Sequence, residues 1–369
     1  MRRRRGFTLI ELLAATALFA ILGTLLFQVV RGAMDVWAVG ERNRELHDRA
    51  SAVMELIAED LRSTWPGLSG AGEQDARFLL QYREEDVDGD AKIDLRTPVL
   101  RFARLCHEER ALGWLREAGE TIGAEGIATL TGEQDPAALR PTGGLAESLY
   151  TLAIRPGSAL PSLIRRFRAP LGGDGSLLEP DLLLQPDRIL ADGVPVADQV
   201  LYFGVELWGP DTTAWQAEPG TDQVSALTAW DSTRGLVLPG DPTFPYAAGE
   251  DSLWDGSDDM FPPLARITLV LDREQGATSS GRLAENISTD ARRLPLQSST
   301  FLRAEENPDH VLVGSEWMRV TAIESGGLTV ERGVRGTVAG THLAGDRISV
   351  GRRFERIVEL PAHRENLNR

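Results

Sequence analysis

The sequence predicts an α+β protein in which one long N-terminal helix packs on an antiparallel β-sheet, with large loops and a β-rich C-terminal insert. Two patterns predict the helix: an apolar run over residues 7–30 with one carboxylate in it, and an apolar stripe that continues beyond the run. Short segments rich in β-branched and aromatic residues after residue 65 predict the sheet. One helix followed by a series of strands is typical of the α+β class.

The apolar run is long enough to cross a membrane. Its 24 residues would rise about 36 Å as a helix, compared with about 30 Å for the core of a bilayer. Four arginines, Arg2 to Arg5, precede the run and predict a cytoplasmic N-terminus. Glu11 is a carboxylate inside the run and costs about 2.5–3.5 kcal/mol to insert, so we expect it to have a cationic partner.

The helix is predicted to continue through residues 31–64 as an amphipathic segment. Apolar residues recur there at spacings of three and four, which places them on one face of a helix, and charged residues occupy the other faces. Pro66 is expected to end the helix. The stripe consists of Leu46, Ala50, Val53, Ile57 and Leu61.

The segment after residue 65 reads as strands joined by long connections rich in Gly, Pro and Asp. The stretch 209–262 is the plainest loop-like region, because its tryptophans are scattered among prolines and acidic residues. The predicted strands cover residues 77–83, 98–104, 150–154, 200–208 and 266–271.

Composition excludes several classes of partner and of stabilisation. The formal net charge is −16, and it becomes −20 without Arg2 to Arg5, so nucleic acid and anionic lipid are not expected as partners of the soluble part. Cys106 is the single cysteine of the chain, which rules out an intramolecular disulfide. We expect Cys106 to be a small buried apolar residue, because no activating group surrounds it in the sequence.

The residues from Arg5 to Leu12 (RGFTLIEL) resemble the N-terminal signal of type IV pilins and type II secretion pseudopilins. This resemblance implies a pilin-like fold, cleavage of the Gly6–Phe7 bond by a prepilin peptidase, and N-methylation of Phe7. It also implies that Glu11 pairs with the N-terminus of a neighbouring subunit during assembly. The alternatives are a secretory signal peptide, whose apolar core usually spans about 7–15 residues, and a plain anchor, which gives no reason for Glu11.

Three later segments, 189–194, 200–208 and 261–271, resemble the J-type minor pseudopilin of type II secretion in their order and pattern. The resemblance implies a place at the tip of a pseudopilus, with the helix in the inner membrane and the rest in the periplasm. The implied partners are the prepilin peptidase, other minor and major pseudopilins, and secreted cargo or an outer-membrane channel. A minor pilin of a surface type IV pilus, acting in assembly or adhesion, is the alternative.

Near the C-terminus, residues 314–320, 328–337 and 342–345 are similar to a small β-module of phage tail and surface proteins. The pattern predicts two strands joined by a turn at 325–327, as an added binding surface or a structural decoration.

The predicted divisions are a leader, a membrane helix, a periplasmic half-helix, an α+β domain with acidic loops, a β-rich insert, and a C-terminal strand with a tail. They cover residues 1–6, 7–30, 31–64, 65–275, 276–352 and 353–369.

An acidic loop is the sharpest candidate for a ligand site. Its alternating carboxylates would suit Ca²⁺, although the glycine and the twelfth position of an EF-hand loop are not matched. A solvated hairpin turn at Asp-Gly is the alternative reading. The calcium candidates are Asp86, Asp88, Asp90 and Asp94, and a less regular second group is Asp251, Asp255, Asp258 and Asp259.

The sequence does not predict an enzyme, and no cofactor is required. The five histidines are isolated, and neither a zinc signature nor a Gly-x-Ser-x-Gly nucleophile elbow occurs. A membrane-anchored hydrolase would need such a constellation, so a structural role in a filament is preferred. The histidines are His47, His107, His310, His342 and His363.

Overall fold

The fold is described here from a computed structural model of the chain. It forms two compact units, Met1–Ser51 and Ala52–Arg369. The structure describes residues 9–65, 78–86, 93–106, 144–155, 158, 160–169, 171–172, 175–179, 182–183, 185–190, 193–208, 215, 228–232, 261–272, 280–298 and 308–361.

One helix, α1 (Leu9–Arg62), accounts for 54 residues and forms the predicted N-terminal helix. The predicted apolar stripe is confirmed, because all five of its residues are buried. The helix ends at Arg62, four residues before Pro66, and Thr64 then forms a β-bridge with Arg104. A second short helix, α2, spans Pro186–Leu190.

The described strands form three antiparallel sheets. All five predicted strands are confirmed, although their ends differ by up to six residues. The first sheet has the order β5-β4-β3-β2-β1-β7, the second β15-β8-β6, and the third β10-β13-β12-β11-β14-β9. The strands are β1 (Phe78–Glu85), β2 (Leu95–Cys106), β3 (Gly144–Ala153), β4 (Ser162–Arg168), β5 (Val194–Ala197), β6 (Val200–Trp208), β7 (Thr228–Asp231), β8 (Leu264–Leu271), β9 (Ser280–Arg282), β10 (Arg293–Pro295), β11 (His310–Val313), β12 (Glu316–Glu324), β13 (Gly327–Val334), β14 (Arg347–Ser349) and β15 (Arg352–Glu359).

Both faces of the first sheet are covered. On one face the rings of Phe102 and Tyr150 stack at a centroid distance of 6.4 Å, and Tyr150 contacts Asp60 of α1. On the other face Val99 and Leu149 pack against apolar residues of the segment 171–190, which follows β4. Because both faces are covered, nearly every residue of β2 and β3 is buried, including charged residues such as Arg101 and Glu147.

The second sheet also lies beside the end of α1. β15 pairs with β8 over its whole length, from Arg352↔Leu271 to Glu359↔Leu264. Arg356 of β15 forms an ion pair of 2.6 Å with Glu55 of α1. The last part of the described chain therefore contacts the same helix as the first sheet.

The expectation of a loop-like stretch over 209–262 is wrong at its centre, where β7 pairs with β1. Trp230 of β7 is fully buried, and Ser232 exchanges two hydrogen bonds with the backbone of Phe78, at 2.9 and 3.0 Å. Burial of one large aromatic side chain holds a strand that is only four residues long, which is too short to show a periodic pattern.

The third sheet contains the predicted two-stranded meander. β12 and β13 pair antiparallel around the turn at 325–326, ending at Glu324↔Gly327. The positive φ of 85° at Gly326 suits a glycine, since a side chain is disfavoured in that region. Short edge strands, β10 and β9, close the two sides of this sheet, as is common where a sheet edge meets solvent.

Candidate assembly site on the long helix

The first half of α1 presents apolar side chains to its surroundings. Within the first unit, the large apolar residues between Leu9 and Trp37 are 48–80% exposed. Among the described residues, α1 is the one helix whose length and composition would allow it to cross a membrane. A core helix of a soluble protein can share those properties, but such a helix would be buried, and the most apolar stretch of α1 is not.

The two threonine hydroxyls of this stretch are satisfied within the helix. The hydroxyl of Thr16 donates to the carbonyl of Leu13 at 3.0 Å. The hydroxyl of Thr24 is placed to donate to the carbonyls of Ala20 and Ile21, at 3.0 and 2.8 Å. A helix in lipid must satisfy its polar groups internally because no water is available, and both threonines meet this requirement.

The first 27 residues match the family model described as the prokaryotic N-terminal methylation motif. This match supports a type IV pilin-like protein. It implies processing by a prepilin peptidase and assembly with other pilins, and it agrees with a single-pass membrane anchor. No curated protein and no solved structure matches the chain.

The residues predicted for processing and assembly lie at the start of the chain. Gly6 and Phe7 lie outside the described residues. Glu11 is part of α1, one turn of the helix after the position of Phe7. Residues four apart on a helix share a face, so a helix that extends back to Phe7 would bring a new N-terminal amine and this carboxylate to the same side.

At the other end of α1 the structure reveals a buried ionic cluster that the sequence did not predict. Asp60 is fully buried and accepts hydrogen bonds from three side chains of the first sheet. Nε of Arg165 donates at 2.7 Å, the hydroxyl of Tyr150 donates at 2.5 Å, and Nη1 of Arg104 forms an ion pair with the other carboxylate oxygen. These contacts join the helix to three strands, β2, β3 and β4.

The surroundings of the cluster keep its groups in fixed roles. Burial raises the pKa of Tyr150 to about 12, while the neighbouring Arg165 acts in the opposite direction, so Tyr150 remains a hydrogen-bond donor. The guanidinium groups of Arg104 and Arg165 lie 5.9 and 5.4 Å from the ring centroid of Phe167, a cation–π arrangement. Two cations around one carboxylate thus make the end of α1 a specific attachment point.

A second buried carboxylate binds the segment 171–190, which covers the face of the first sheet opposite α1. Glu147 of β3 accepts hydrogen bonds from the backbone N–H groups of Gly172 and Leu177, at 2.7 and 2.6 Å, and from the hydroxyl of Ser176. Buried Arg101 donates from β2 to the carbonyl of Leu177 at 2.9 Å. Glu147 and Arg101 therefore bind backbone groups of Gly172 and Leu177, which belong to neither a helix nor a strand.

The calcium candidate is only partly described. The strands on either side of the loop pair as predicted, up to Glu85↔Leu95, and the N–H of Asp94 donates to the carbonyl of Glu85 at 2.9 Å. The predicted Asp-Gly turn itself lies outside the described residues. Asp88 and Asp90 lie outside the described residues, as does the second acidic group at 251–259. Among the residues that the structure does describe, no group of three metal-binding side chains occurs. Calcium binding by this loop stays a prediction.

The third sheet contains a further buried cluster, centred on Glu316. Its carboxylate accepts hydrogen bonds from Nε and Nη2 of Arg332, at 2.6 and 2.7 Å, and lies 2.8 Å from Nε2 of His342. Burial alone would raise the pKa of Glu316, but the hydrogen bonds from Arg332, His342 and the N–H of Gly340 outweigh it and lower that pKa. His342 therefore has a structural partner, which its isolation in the sequence did not indicate.

Cys106 is buried, as the sequence predicted. It is a buried residue at the end of β2 and packs with Ala146 of the neighbouring strand, close to the ring of Phe167. The prediction of a small buried apolar residue is confirmed.

Proposed function

We propose that this protein is a minor pseudopilin that assembles into the periplasmic pseudopilus of a type II protein secretion system, at the tip of that pseudopilus. The observation that carries the proposal is the exposed apolar helix headed by Glu11, together with the matched methylation motif. The order of the segments that resemble J-type pseudopilins supports the position at the tip.

The anchor explains how such a subunit would be stored and used. With Arg2 to Arg5 in the cytoplasm, the apolar helix would hold the subunit in the inner membrane and leave the Ala52–Arg369 unit in the periplasm. Cleavage between Gly6 and Phe7 would remove the arginines and create an amine, which is methylated. In an exchange of surroundings, the apolar helix would then leave the lipid and pack against the apolar helices of other pilin-like subunits.

Glu11 gives this exchange a preferred alignment. An uncompensated carboxylate in an apolar environment is costly, and an N-terminal amine of an adjacent subunit would remove that cost. Coulomb attraction is stronger in an environment of low dielectric constant, so the pair would form once the helices are out of water. The same interaction does not form with a precursor that keeps its leader.

A minor pilin of a surface type IV pilus is the second candidate. The third sheet favours it, because its sequence is similar to a β-module of phage tail and surface proteins and would suit adhesion. The two candidates share the anchor, the processing and the assembly step. They differ in where the filament ends and in which proteins it contacts.

Cross-linking mass spectrometry on native membranes tests the proposal. The tagged full-length protein would be cross-linked in cells, and the chains that contact residues beyond 64 would be identified. Contacts with other minor pseudopilins and a secreted protein support the secretion tip. Recovery in sheared extracellular fibres with a major pilin would instead assign the protein to a surface pilus. The absence of any pilin-like partner would contradict both.

A further inference from the structure

We propose that the described residues 280–298 and 308–350 form a separately stabilised domain, inserted between β8 and β15 and clamped in one orientation on the rest of the Ala52–Arg369 unit by Arg335. The remainder of that unit is called the body below. This arrangement is a property of the Ala52–Arg369 unit and does not depend on the type of filament.

The inserted domain has its own apolar core. Eleven buried residues pack together, and every one of them lies between Leu283 and Val350. They come from β10 to β14 and from the connections before, between and after those strands. A core with this composition does not need side chains from the body, which is the usual property of a domain.

The polar core of the inserted domain is equally self-contained. Glu316 and Arg332 form a two-bond ion pair between β12 and β13. Arg332 also donates to the carbonyls of Ser288, Ala291 and Gly340, at 2.8, 3.1 and 2.6 Å. These contacts connect the sheet to both of the loops that flank it. All the partners again belong to residues 280–350.

The points of entry and exit are adjacent. The chain leaves the body after Leu271 and returns at Arg352, and these two residues are directly opposite each other in the β8–β15 pair. The domain therefore occupies the place of a hairpin turn. Gly351 fits between Val270 and Leu201, because a Cβ at this position would lie 2.4 and 2.8 Å from their side chains.

Arg335 connects the domain to the body at a second place. Its guanidinium lies 4.3 Å from the ring centroid of Tyr202 on β6 and 4.6 Å from that of Trp317 on β12. The two rings meet edge to face with centroids 5.9 Å apart. Gly204 leaves room for the Tyr202 ring, since a Cβ there would lie 2.5 Å from its hydroxyl. The contact therefore contains one cation, which comes from the domain, and one aromatic ring from each side of the junction. Leu201 and Val270 of the body belong to the same buried cluster as the two rings.

The backbone of this clamp is strained and fits closely. Arg335 and Gly336 have φ values of 56° and 75°, and the N–H of Thr337 donates to the carbonyl of Val334 at 3.2 Å, as in a type I′ turn. An arginine with positive φ persists only where its surroundings hold it. The turn also reaches β2, because the N–H of Arg96 donates to the carbonyl of Gly336 at 2.8 Å.

Hydrogen exchange measured by mass spectrometry on the full-length protein tests whether the domain is stabilised separately. Glu316→Gln should speed exchange of the amides in β10 to β14 by about 100-fold or more, because it leaves Arg332 buried without a full charge partner. The amides of β2 to β4 should not change. Asp60→Asn is the matched variant: it should speed exchange of the amides in β2 to β4 and leave those of β10 to β14 unchanged. Faster exchange in both regions for either variant would overturn the proposal.

Electron spin resonance distances test the clamp. Spin labels would be attached to Ser325→Cys on the domain and Ile154→Cys on the body, both exposed positions, in a Cys106→Ala background. The double variant Tyr202→Ala, Arg335→Ala should broaden the distance distribution at least twofold, with exchange in β10 to β14 unchanged. Arg347→Ala removes the ion pair with buried Asp272, at the point where the chain enters the domain, and should leave the distribution narrow. An unchanged distribution in the double variant would show that the clamp does not set the orientation.

Discussion

Asp60 and Tyr150 are 90 positions apart in the sequence, yet the hydroxyl oxygen of Tyr150 lies 2.5 Å from Oδ2 of Asp60. The contact joins the last turns of α1 to the middle of the first sheet. Arg104 and Arg165 form ion pairs with the same carboxylate, which is fully buried. A helix that is apolar at its start is therefore attached at its end by charge and hydrogen bonds as well as by apolar packing.

Asp60→Ala should destabilise the Ala52–Arg369 unit by about 3–5 kcal/mol, because it leaves the buried guanidinium of Arg104 and the partly buried guanidinium of Arg165 without their carboxylate. Tyr150→Phe should cost about 1–2 kcal/mol, since it removes one hydrogen bond and keeps the ring. Urea unfolding followed by circular dichroism measures both. Glu55→Ala is the control, because its ion pairs with Arg62 and Arg356 are exposed and should contribute little. Equal midpoints for Asp60→Ala and Glu55→Ala would refute the role of the cluster.

The periodic parts of the fold could be predicted from the sequence. The stripe from Leu46 to Leu61 is buried as its spacing indicates, and the β12–β13 meander forms around the predicted turn. Both patterns depend on residues that are close in the chain. Local spacing is therefore enough to specify them.

The ionic clusters could not be predicted in this way. Asp60 has the sequence context of a charged residue on an exposed helix face, and Glu316 that of the solvent side of a strand. Their burial depends on Arg104, Tyr150 and Arg332, which are brought together only by the fold. β7 was missed for a similar reason, because its one strong feature is the burial of Trp230 in contact with distant strands.

Gly6→Leu should block processing, because a peptidase that cuts after glycine has no room for a branched side chain. The expected result is accumulation of the unprocessed precursor in the membrane fraction. Mass spectrometry of the purified protein would show the leader retained and no methyl group on Phe7. Substitution of Arg2 by lysine preserves the charge and should leave processing intact. Normal processing of Gly6→Leu would contradict the assignment of Gly6–Phe7 as the peptidase cleavage site.

Glu11→Ala should leave insertion intact and reduce incorporation into filaments by about tenfold or more, because the N-terminal amine of the adjacent subunit loses its partner. Pull-down of sheared or detergent-extracted filaments, compared with the membrane pool, measures this ratio. Thr16→Val is the matched control, since the Thr16 hydroxyl is satisfied by its own helix. Unchanged incorporation of Glu11→Ala would contradict the pairing of Glu11 with the amine of an adjacent subunit.

Calcium binding by the acidic loop is testable by isothermal titration of the full-length protein in nanodiscs. If Asp86, Asp88, Asp90 and Asp94 converge on one ion, the dissociation constant should lie at about 0.1–1 mM, as in extracellular modules. The double variant Asp88→Ala, Asp90→Ala should abolish the heat of binding. Asp48→Ala, on the exposed helix, should not affect it. Equal heats for the double variant and the native protein would place any calcium elsewhere.

His310 should make the protein less stable in mild acid. Burial, followed by the charges of Arg335, Arg353 and Arg319, lowers the pKa of His310 from 6.5 to about 3. Between these two pKa values the unfolded chain binds a proton at His310 that the folded chain does not. The stability that depends on neutral His310 is therefore fully present above pH 6.5 and is lost as the pH decreases toward 3. Melting temperatures at pH 7 and pH 5 should differ less in His310→Gln than in the native protein. His47→Gln, on the exposed helix, is the control. An equal difference in native protein and His310→Gln would contradict this assignment.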